Sequence, residues 1–352
     1  MTDLSAEFQQ HISDAVAKES PINLVGGNTK QFYGREPLGE VLNVADNTGI
    51  VDYEPTELVI TVRNGTALSQ LEAVLADQGQ MLGFEPPSFG QKSTIGGVIA
   101  SGLSGPRRPF SGAVRDHLLG CKIINGYADI LSFGGTVMKN VAGYDLSRLM
   151  AGSMGTLGLI VEASLKVVPK PEIEETWWQE IKGNAVIQLM SQLLQKPFPF
   201  SGLHYDGKRL FYRLCGSSEA IKQSAETLGG EQLNNDRDFW LSLKNQTSEF
   251  FQEEMPLWRI SVAPATEPLS LAGSDMLDWG GALRWLKSDE SAQHVYQTVA
   301  EAGGHATLFR GGERDGLVFQ ALPTDLMQIQ QRLKHAFDPK GLFNQGRMYP
   351  EF

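Results

Sequence analysis

Three glycine-rich segments, each beside a run of strand-forming residues, constrain the fold of this chain more than any other feature. They are LVGGNTK (24–30), STIGGVIASGLSGPRRPFSGAVRD (93–116) and MAGSMGTLGLI (150–160). Glycine loses more backbone freedom on folding than any other residue, so a cluster of glycines costs stability. Such a cluster is expected where the backbone itself has a structural or binding role. Exposed backbone amides at turns bind anions, and Gly96-Gly97 leads directly into a predicted helix. Two of these loops are therefore expected to hold a pyrophosphate through the main chain, although a single glycine pair is more often a tight turn.

Composition and motifs exclude several classes of function. The sequence contains neither the Rossmann G-x-G-x-x-G after a strand nor a P-loop. A net charge of −11 argues against nucleic acid as a partner. Two cysteines, Cys121 and Cys215, cannot form a zinc or iron–sulfur site, and the six histidines show no metal-ligand spacing. No signal peptide or apolar run long enough to span a bilayer is seen, which predicts a cytoplasmic protein.

The first half of the chain predicts strands alternating with turns and helices. INLVGG, GIVDY and ELVITVRNG are typical of strands, and TALSQLEAVLADQG predicts a helix with Thr66 as its N-cap. LLGCKIINGYADILSFGG predicts a hairpin that turns at Asn125-Gly126. Pro169 and Pro171 then mark a domain boundary.

The second half predicts a mixture of antiparallel strands and amphipathic helices, which indicates an α+β lid domain. GLHYDGKRLFYRL predicts a hairpin at Asp206-Gly207, and the helix after it is expected to be capped by Ser217. A closing helix carries Leu326, Ile329, Leu333 and Phe337 at helical spacing. At 352 residues the chain is long for one domain and sufficient for two.

Five segments, in order, resemble the FAD-binding fold of the vanillyl-alcohol oxidase type, also called PCMH-type: PINLVGGNTK, EPPSFGQKSTIGGVIASGLSGP, SGAVRDHLLG, GSMGTLGLIVEASLKVVP and HAFDPKGLFNQGRM. Within it, GGTVMKNVAGYDLSRLMAGSMGTLG and DWGGALRWLK look most like the E-subunit family of bacterial glycolate oxidase. The resemblance implies an α+β chain with a FAD-binding domain of two α/β subdomains over residues 1–171. It also implies a smaller α+β cap with an antiparallel sheet over 172–318, and a C-terminal helix and tail over 319–352 that return to the FAD domain.

The resemblance also implies which residues hold FAD. The first loop, at the diphosphate, consists of Gly26, Gly27, Asn28 and Thr29. The second loop runs along the diphosphate and ribityl chain and contributes Pro87, Thr94, Gly96, Gly97, Ala100, Ser101 and Gly102. Arg115 and Asp116 form a supporting wall, and Gly158 and Ile160 offer backbone beside the flavin. Several relatives bond a histidine of the first loop covalently to the flavin. Residues 26–29 contain neither His nor Cys, so FAD is expected to be non-covalent.

As for activity, the resemblance implies an FAD-dependent oxidoreductase acting on CH–OH groups, as a subunit of a complex that oxidises glycolate to glyoxylate. Electrons would leave the flavin for an iron–sulfur partner and quinone. The expected partners are a second flavoprotein like the D subunit and an iron–sulfur chain like the F subunit. Membrane contact is expected only at the inner face of the membrane, through these partners.

Catalytic residues are not assigned, because catalytic relatives carry His-x-Gly-Asp-Gly-Asn near the flavin and this chain reads GGHATLFRGG around His305. Two alternatives therefore stay open: a self-sufficient FAD oxidoreductase for another hydroxy acid or alcohol, and a non-catalytic assembly subunit. Arg284 in DWGGALRW either faces a substrate carboxylate or belongs to a structural turn. Four polar residues of MKNVAGYDLSRLM either hold a loop to a helix or serve a flavin or interface role: Lys139, Tyr144, Asp145 and Arg148.

Overall fold

A computed structural model describes residues 2–136, 145–181, 183 and 185–351. The chain divides into two compact units: unit 1 comprises Met1–Ser104, Gly112–Pro169 and Ala321–Phe352, and unit 2 comprises Gly105–Ser111 and Lys170–Gln320. From sequence, boundaries are expected after residues 171 and 318. Nothing in the sequence indicates that the short segment Gly105–Ser111 belongs to unit 2.

The helices and strands have the following bounds. The strands are β1 Ile22–Val25, β2 Glu40–Asn43, β3 Ile50–Glu54, β4 Val59–Arg63, β5 Gln80–Met81, β6 Leu118–Ile124, β7 Ile130–Gly134, β8 Leu159–Lys166, β9 Val168–Pro169, β10 Ile173–Glu180, β11 Phe200–Tyr205, β12 Arg209–Gly216, β13 Glu231–Gln232, β14 Leu257–Ser261, β15 Ser274–Asp278, β16 Leu283–Lys287 and β17 His305–Arg310. The helices are α1 Ser5–Lys18, α2 Leu68–Asp77, α3 Ile95–Ser101, α4 Arg108–Ser111, α5 Val114–His117, α6 Ser147–Met150, α7 Ala185–Leu194, α8 Ser218–Leu228, α9 Asp236–Lys244, α10 Ala292–Glu301 and α11 Thr324–Phe337. No helix among the described residues is both long and apolar enough to span a bilayer.

Unit 1 is built on a five-stranded antiparallel sheet in the order β3-β4-β8-β6-β7. Successive side chains of a strand point to opposite faces, and β8 is buried on both. Ile160, Ala163 and Leu165 join the core formed with α2 and α3. Leu159 and Val161 join a second core with α1 and the parallel pair β1-β2. One strand therefore separates two cores, each with its own helices.

Two local predictions for unit 1 need correction. The helix α2 has Ala67 as its N-cap, because the Thr66 hydroxyl is used elsewhere: it accepts from the Gly49 amide at 3.0 Å and donates to the Gly49 carbonyl at 3.2 Å. The β6-β7 turn is also longer than the predicted two residues. Asn125 Oδ1 accepts from the amides of Tyr127 and Asp129, each at 2.9 Å, and so closes a wider loop.

The closing helix α11 is attached to unit 1 mainly at its C-terminal end. Leu326 and Ile329 of its predicted apolar face are 49% and 50% exposed. By contrast, the buried Lys334 ammonium donates to Asp338 Oδ2 at 2.7 Å, to the Thr156 carbonyl at 2.8 Å and to the Phe343 carbonyl at 3.0 Å. This buried ion pair fixes the C-terminal segment against the loop before β8.

Unit 2 contains an eight-stranded antiparallel sheet in the order β13-β10-β12-β11-β15-β16-β14-β17. The hairpin at Asp206-Gly207 and the Ser217 cap of α8 are as predicted. The segment Gly105–Ser111 belongs to this unit because Arg107 forms an ion pair with Glu174. In addition, the Gly105 carbonyl accepts from Trp279 Nε1 at 2.9 Å.

Candidate functional site

Unit 1 contains a cavity where the end of β1, the start of α3, the loop before β8 and the C-terminal segment meet. It is lined by Asn23, Leu24, Val25, Gly26, Gly27, Asn28, Thr29, Lys30, Gln31, Pro37, Val44, Asn64, Thr94, Gly96, Gly97, Ala100, Ser101, Met154, Gly155, Gly158, Leu159, Ile160, Asn344 and Arg347. All three glycine-rich segments of the sequence therefore contribute to one concave site.

The first loop presents backbone amides to this cavity. Among the described residues, the amides of Gly26, Gly27, Asn28 and Thr29 have no hydrogen-bond acceptor. Asn28 has a φ of 57°, in the left-handed region that Asn tolerates better than most residues. Consecutive amides in such a turn form a concavity that binds anions. A Cβ on Gly27 would lie 1.4 Å from the Lys92 carbonyl oxygen, so only glycine fits there.

The second loop meets the first at Thr94. A Cβ on Gly26 would lie 2.7 Å from Thr94 Oγ1, and that oxygen caps α3 by accepting from the Gly97 amide at 3.4 Å. Gly96 packs against Asn64, where a Cβ would lie 2.8 Å from Asn64 Cβ. Gly97 differs: a Cβ there would meet only Thr94 Oγ1, at 3.3 Å. The Gly97 position therefore leaves space for a ligand, and a side chain on it would occupy that space.

Lys30 brings a positive charge to the site. Its ammonium donates to Ser93 Oγ at 2.8 Å, to Thr29 Oγ1 at 3.3 Å and to the Ser88 carbonyl at 3.4 Å. Its hydrogen-bond partners in the described structure are all neutral oxygens. Burial lowers the pKa of Lys30 to about 8, because no carboxylate compensates the loss of water. A cation without a counter-ion, beside unbonded amides, fits an anionic ligand.

The C-terminal segment closes the other side of the cavity. Asn344 Oδ1 accepts from the Leu24 amide at 2.7 Å, and its Nδ2 donates to the Met154 carbonyl at 2.6 Å, so one side chain ties β1 to the third glycine-rich segment. The Arg347 guanidinium donates to the Tyr33 carbonyl at 2.7 Å, and to the Lys30 and Gln31 carbonyls at 3.2 Å each. Arg347 therefore fixes the backbone that carries Lys30.

Most of the predicted cofactor residues lie on this one cavity: Gly26, Gly27, Asn28, Thr29, Thr94, Gly96, Gly97, Ala100, Ser101, Gly158 and Ile160. Pro87, Gly102, Arg115 and Asp116 do not line it. Gly102 is the C-cap of α3, with a φ of 66°. Asp116 accepts from the Ala113 amide at 2.9 Å, and the Arg115 side chain is 65% exposed. For these four residues, as for those that line the cavity, contact with a cofactor remains a prediction.

Several residues that line the site were not singled out from sequence, and three of them carry its charge or fix its backbone: Lys30, Asn344 and Arg347. Lys30 directly follows the first glycine loop, and this position next to the loop could have identified it as a residue of the site. Asn344 and Arg347 belong to the quoted FNQGRM segment, but no local pattern distinguishes a residue that binds backbone some 310–320 positions away.

The remaining candidates are structural or lie outside the described residues. Arg148 pairs with Asp145 at 2.6 Å and with Asp116 at 3.7 Å, which matches the role of holding a loop to a helix. Lys139 and Tyr144 lie outside the described residues. Arg284 is buried in unit 2, where its guanidinium donates to the carbonyls of Thr266 and Glu267.

Comparison with known protein families gives one match, to a family described as FAD binding domain, over residues 4–146. This segment contains the first two glycine-rich loops. The diphosphate of FAD is an anion, and the residues present fit it: the loop amides lack acceptors, Lys30 supplies a positive charge, and the absence of a side chain at Gly97 leaves space for the ligand.

Individual relatives extend the similarity to the whole chain. The chain is 44% identical over 349 residues to the glycolate oxidase subunit GlcE of Escherichia coli, covering 99% of this chain and 98% of that protein. It is 36% identical over 168 residues to the glycolate oxidase subunit GlcD of Bacillus subtilis, covering 47% of this chain and 34% of that protein. A solved structure of alkyldihydroxyacetonephosphate synthase superposes with a TM-score of 0.67 at 15% identity, over 96% of this chain and 74% of that one. These similarities confirm the predicted α+β, PCMH-type fold class.

Proposed function

The chain belongs to the family of the glycolate oxidase subunit GlcE, a family of FAD-dependent oxidoreductases, and from this premise we propose that it is the FAD-binding subunit of an assembly that oxidises glycolate to glyoxylate. Bound FAD supplies the acceptor for a hydride from the carbon that carries the substrate hydroxyl. The residues of this chain hold the cofactor. In this proposal the diphosphate lies between the loops 26–29 and 94–97.

The observation that carries the proposal is the combination of unbonded amides and an uncompensated cation on one cavity wall. Lys30 donates only to neutral oxygens and the nearby amides lack acceptors within the described structure. A partly buried cation with only neutral partners and loop amides without acceptors, all on one cavity wall, suit an anionic ligand. The diphosphate offers acceptors to both.

We expect FAD to be held without a covalent bond. The described residues that line the cavity include neither His nor Cys, and the first loop, where relatives carry the attached histidine, reads Gly-Gly-Asn-Thr. The purified chain should be yellow, and its flavin should remain in solution after denaturation and removal of the polypeptide. A colourless chain that takes up no FAD, or flavin that precipitates with the polypeptide, contradicts this.

The assembly is supported by the cysteine content of the chain. A relative named as a subunit of glycolate oxidase aligns over nearly the entire chain, and two cysteines cannot hold an iron–sulfur cluster. We propose that electrons pass to an iron–sulfur chain and then to quinone, and that a second, D-like flavoprotein completes the assembly. Attachment to the inner face of the membrane, through these partners, belongs to the same proposal.

One observation favours a second candidate, in which this chain oxidises a hydroxy acid on its own. In unit 2 the guanidinium carbons of Arg108 and Arg259 lie 4.3 Å and 5.3 Å from the centre of the Trp279 ring. Partial desolvation lowers the pKa of His305, and Arg259 and Arg108 lower it further. Such a cluster of cations around a neutral imidazole suits an anionic substrate and a proton acceptor.

The two candidates are separated by expressing the chain alone and together with its D-like and F-like partners. Glycolate-dependent reduction of a dye is then measured per mole of flavin. The proposed function predicts little or no turnover by the lone FAD-loaded chain and turnover by the assembly. Rapid turnover by the lone chain would establish the self-sufficient oxidoreductase instead.

A further inference from the structure

A second cavity, of about 310 Å³, lies within unit 2 against the eight-stranded sheet. The strand register places Arg284 of β16 opposite Leu277 of β15, and Asp275 of β15 opposite Leu286 of β16. Residues two apart on a strand share a face, so these four side chains lie on the same side of the sheet. Arg284 and Asp275 are diagonal neighbours, whose Cα atoms are typically about 7–8 Å apart.

Aliphatic side chains form part of the wall around these charges, and polar atoms form the rest. Val186 and Ile187 of α7, Ile260 of β14, and the side chains of Leu269 and Leu271 line the cavity together with Leu286. A cavity of this size lies at the lower end of the range of sites that hold small organic ligands. Its walls fit a branched or unbranched aliphatic group.

The charged groups of the cavity are incompletely satisfied. Arg284 is 3% exposed, and its guanidinium donates to the Thr266 and Glu267 carbonyls, but its buried Nε has no acceptor among the described residues. Asp275 is exposed, and its charge acts on that of Arg284. Desolvation lowers the pKa of Arg284 and raises the pKa of Asp275, and the attraction between the two charges opposes both shifts. An unpaired buried donor normally indicates a water or a ligand.

We propose that this cavity binds a small aliphatic carboxylate whose α-carbon carries a hydrogen-bond donor, as in an α-amino acid or a 2-hydroxy acid. The ligand carboxylate accepts from Arg284, the α-substituent donates to Asp275, and the aliphatic group packs on the leucine and isoleucine walls. A carboxylate without a substituent on its α-carbon cannot donate to Asp275, so no hydrogen bond offsets the repulsion between the two negative charges. The site is assigned independently of FAD and of the oxidation that we propose above.

The test is isothermal titration of the full FAD-loaded chain with four probes: leucine, 2-hydroxy-4-methylpentanoate, 4-methylpentanoate and 3-methylbutylamine. The proposal predicts saturable binding of leucine, of the hydroxy acid, or of both. It also predicts at least about 10-fold weaker binding of the two probes that lack one of the groups, since a hydrogen bond to a charged group is worth about 1.5–3 kcal/mol. The first two probes distinguish the amino acid from the hydroxy acid as the ligand.

Three variants locate the binding. Arg284→Gln and Leu269→Trp should each weaken it by about 10-fold or more, the first by removing the charge and the second by filling the cavity. Arg237→Gln, an exposed change on α9, is the matched control and should leave it unchanged. If Arg284→Gln does not fold, the binding measured with Leu269→Trp alone tests the proposal. Absence of saturable binding by the wild-type chain, or binding that survives Leu269→Trp, overturns the proposal.

Discussion

Lys30 is the residue whose charge should make FAD binding depend on pH. Its pKa in the free chain is about 8, so it loses its proton as the pH rises through 8, and only the charged form complements a diphosphate. Because the bound diphosphate favours the protonated form, we expect the FAD dissociation constant to rise by up to about 10-fold per pH unit above 8. Fluorescence titration of the apo chain with FAD from pH 7 to 9.5 measures this.

Lys30→Met should weaken FAD binding at pH 7 by roughly 10- to 100-fold and abolish its pH dependence, since a hydrogen bond to a charged group contributes about 1.5–3 kcal/mol. Lys92→Met, at an exposed lysine in the same region, is the control. Equal pH dependence in both variants would show that Lys30 does not contact the diphosphate.

Gly97 tests the position of the cradle. Gly97→Val should abolish FAD binding while the chain still folds, because the new side chain meets only Thr94 Oγ1 in the protein and otherwise fills the ligand space. Gly135→Val is the matched control, since a Cβ there has no neighbour within 4 Å. Flavin content per chain and circular dichroism are measured on both. Flavin retention by Gly97→Val would show that the cradle is misplaced.

His204 should lower the stability of unit 2 in mild acid. Its ring lies near Phe211, Phe239 and Trp240, and neither ring nitrogen has a hydrogen-bond partner among the described residues. Burial lowers the pKa of His204 to about 4, against an opposing effect of Asp206. The unfolded chain, with a pKa near 6.5, therefore binds more protons between pH 6.5 and 4, and the free energy of unfolding falls as the pH falls through this range.

All six tryptophans lie within unit 2, so tryptophan fluorescence reports on its unfolding. By pH 4.5 the expected loss from His204 is roughly 2 kcal/mol, measured by urea denaturation at pH 7 and 4.5. His204→Phe, which does not titrate, should show a smaller loss on acidification. An identical pH dependence in wild type and variant would assign the acid sensitivity to other groups.

At the scale of elements, local patterns predicted strands, hairpins and glycine loops well, because alternation and turn residues act over a few positions. They did not predict that Gly105–Ser111 joins unit 2, since that depends on Arg107 meeting Glu174 far along the chain. They also overestimated the buried face of α11, whose Leu326 and Ile329 are half exposed. For the cavity, the glycine-rich part of the wall was predictable from the glycine clusters, whereas the contacts that Asn344 and Arg347 make with distant backbone were not.

The Asn344 clamp carries a prediction at this scale. Asn344→Ala leaves the Leu24 amide and the Met154 carbonyl without their partner, and places alanine at a φ of 45° that it disfavours. We expect a loss of about 2–4 kcal/mol in stability and FAD binding weakened by 10-fold or more, because β1 and the third glycine segment are no longer tied together. Asn43→Ala, at an exposed asparagine of β2, is the control for thermal unfolding and FAD titration.

At the scale of the whole molecule, every described residue that lines the proposed FAD cavity belongs to unit 1, although most of these residues come from four separate stretches of the chain. FAD should therefore slow amide hydrogen exchange in peptides that cover 22–31, 94–101, 154–160 and 341–347, because a ligand that binds only the folded state suppresses local opening. Peptides that cover α8 and α9 in unit 2 should exchange equally with and without FAD. Gly97→Val, mixed with the same FAD concentration, is expected to show no difference in any peptide. Protection that is confined to unit 2, or that persists in Gly97→Val, would place the cofactor elsewhere than in this cavity.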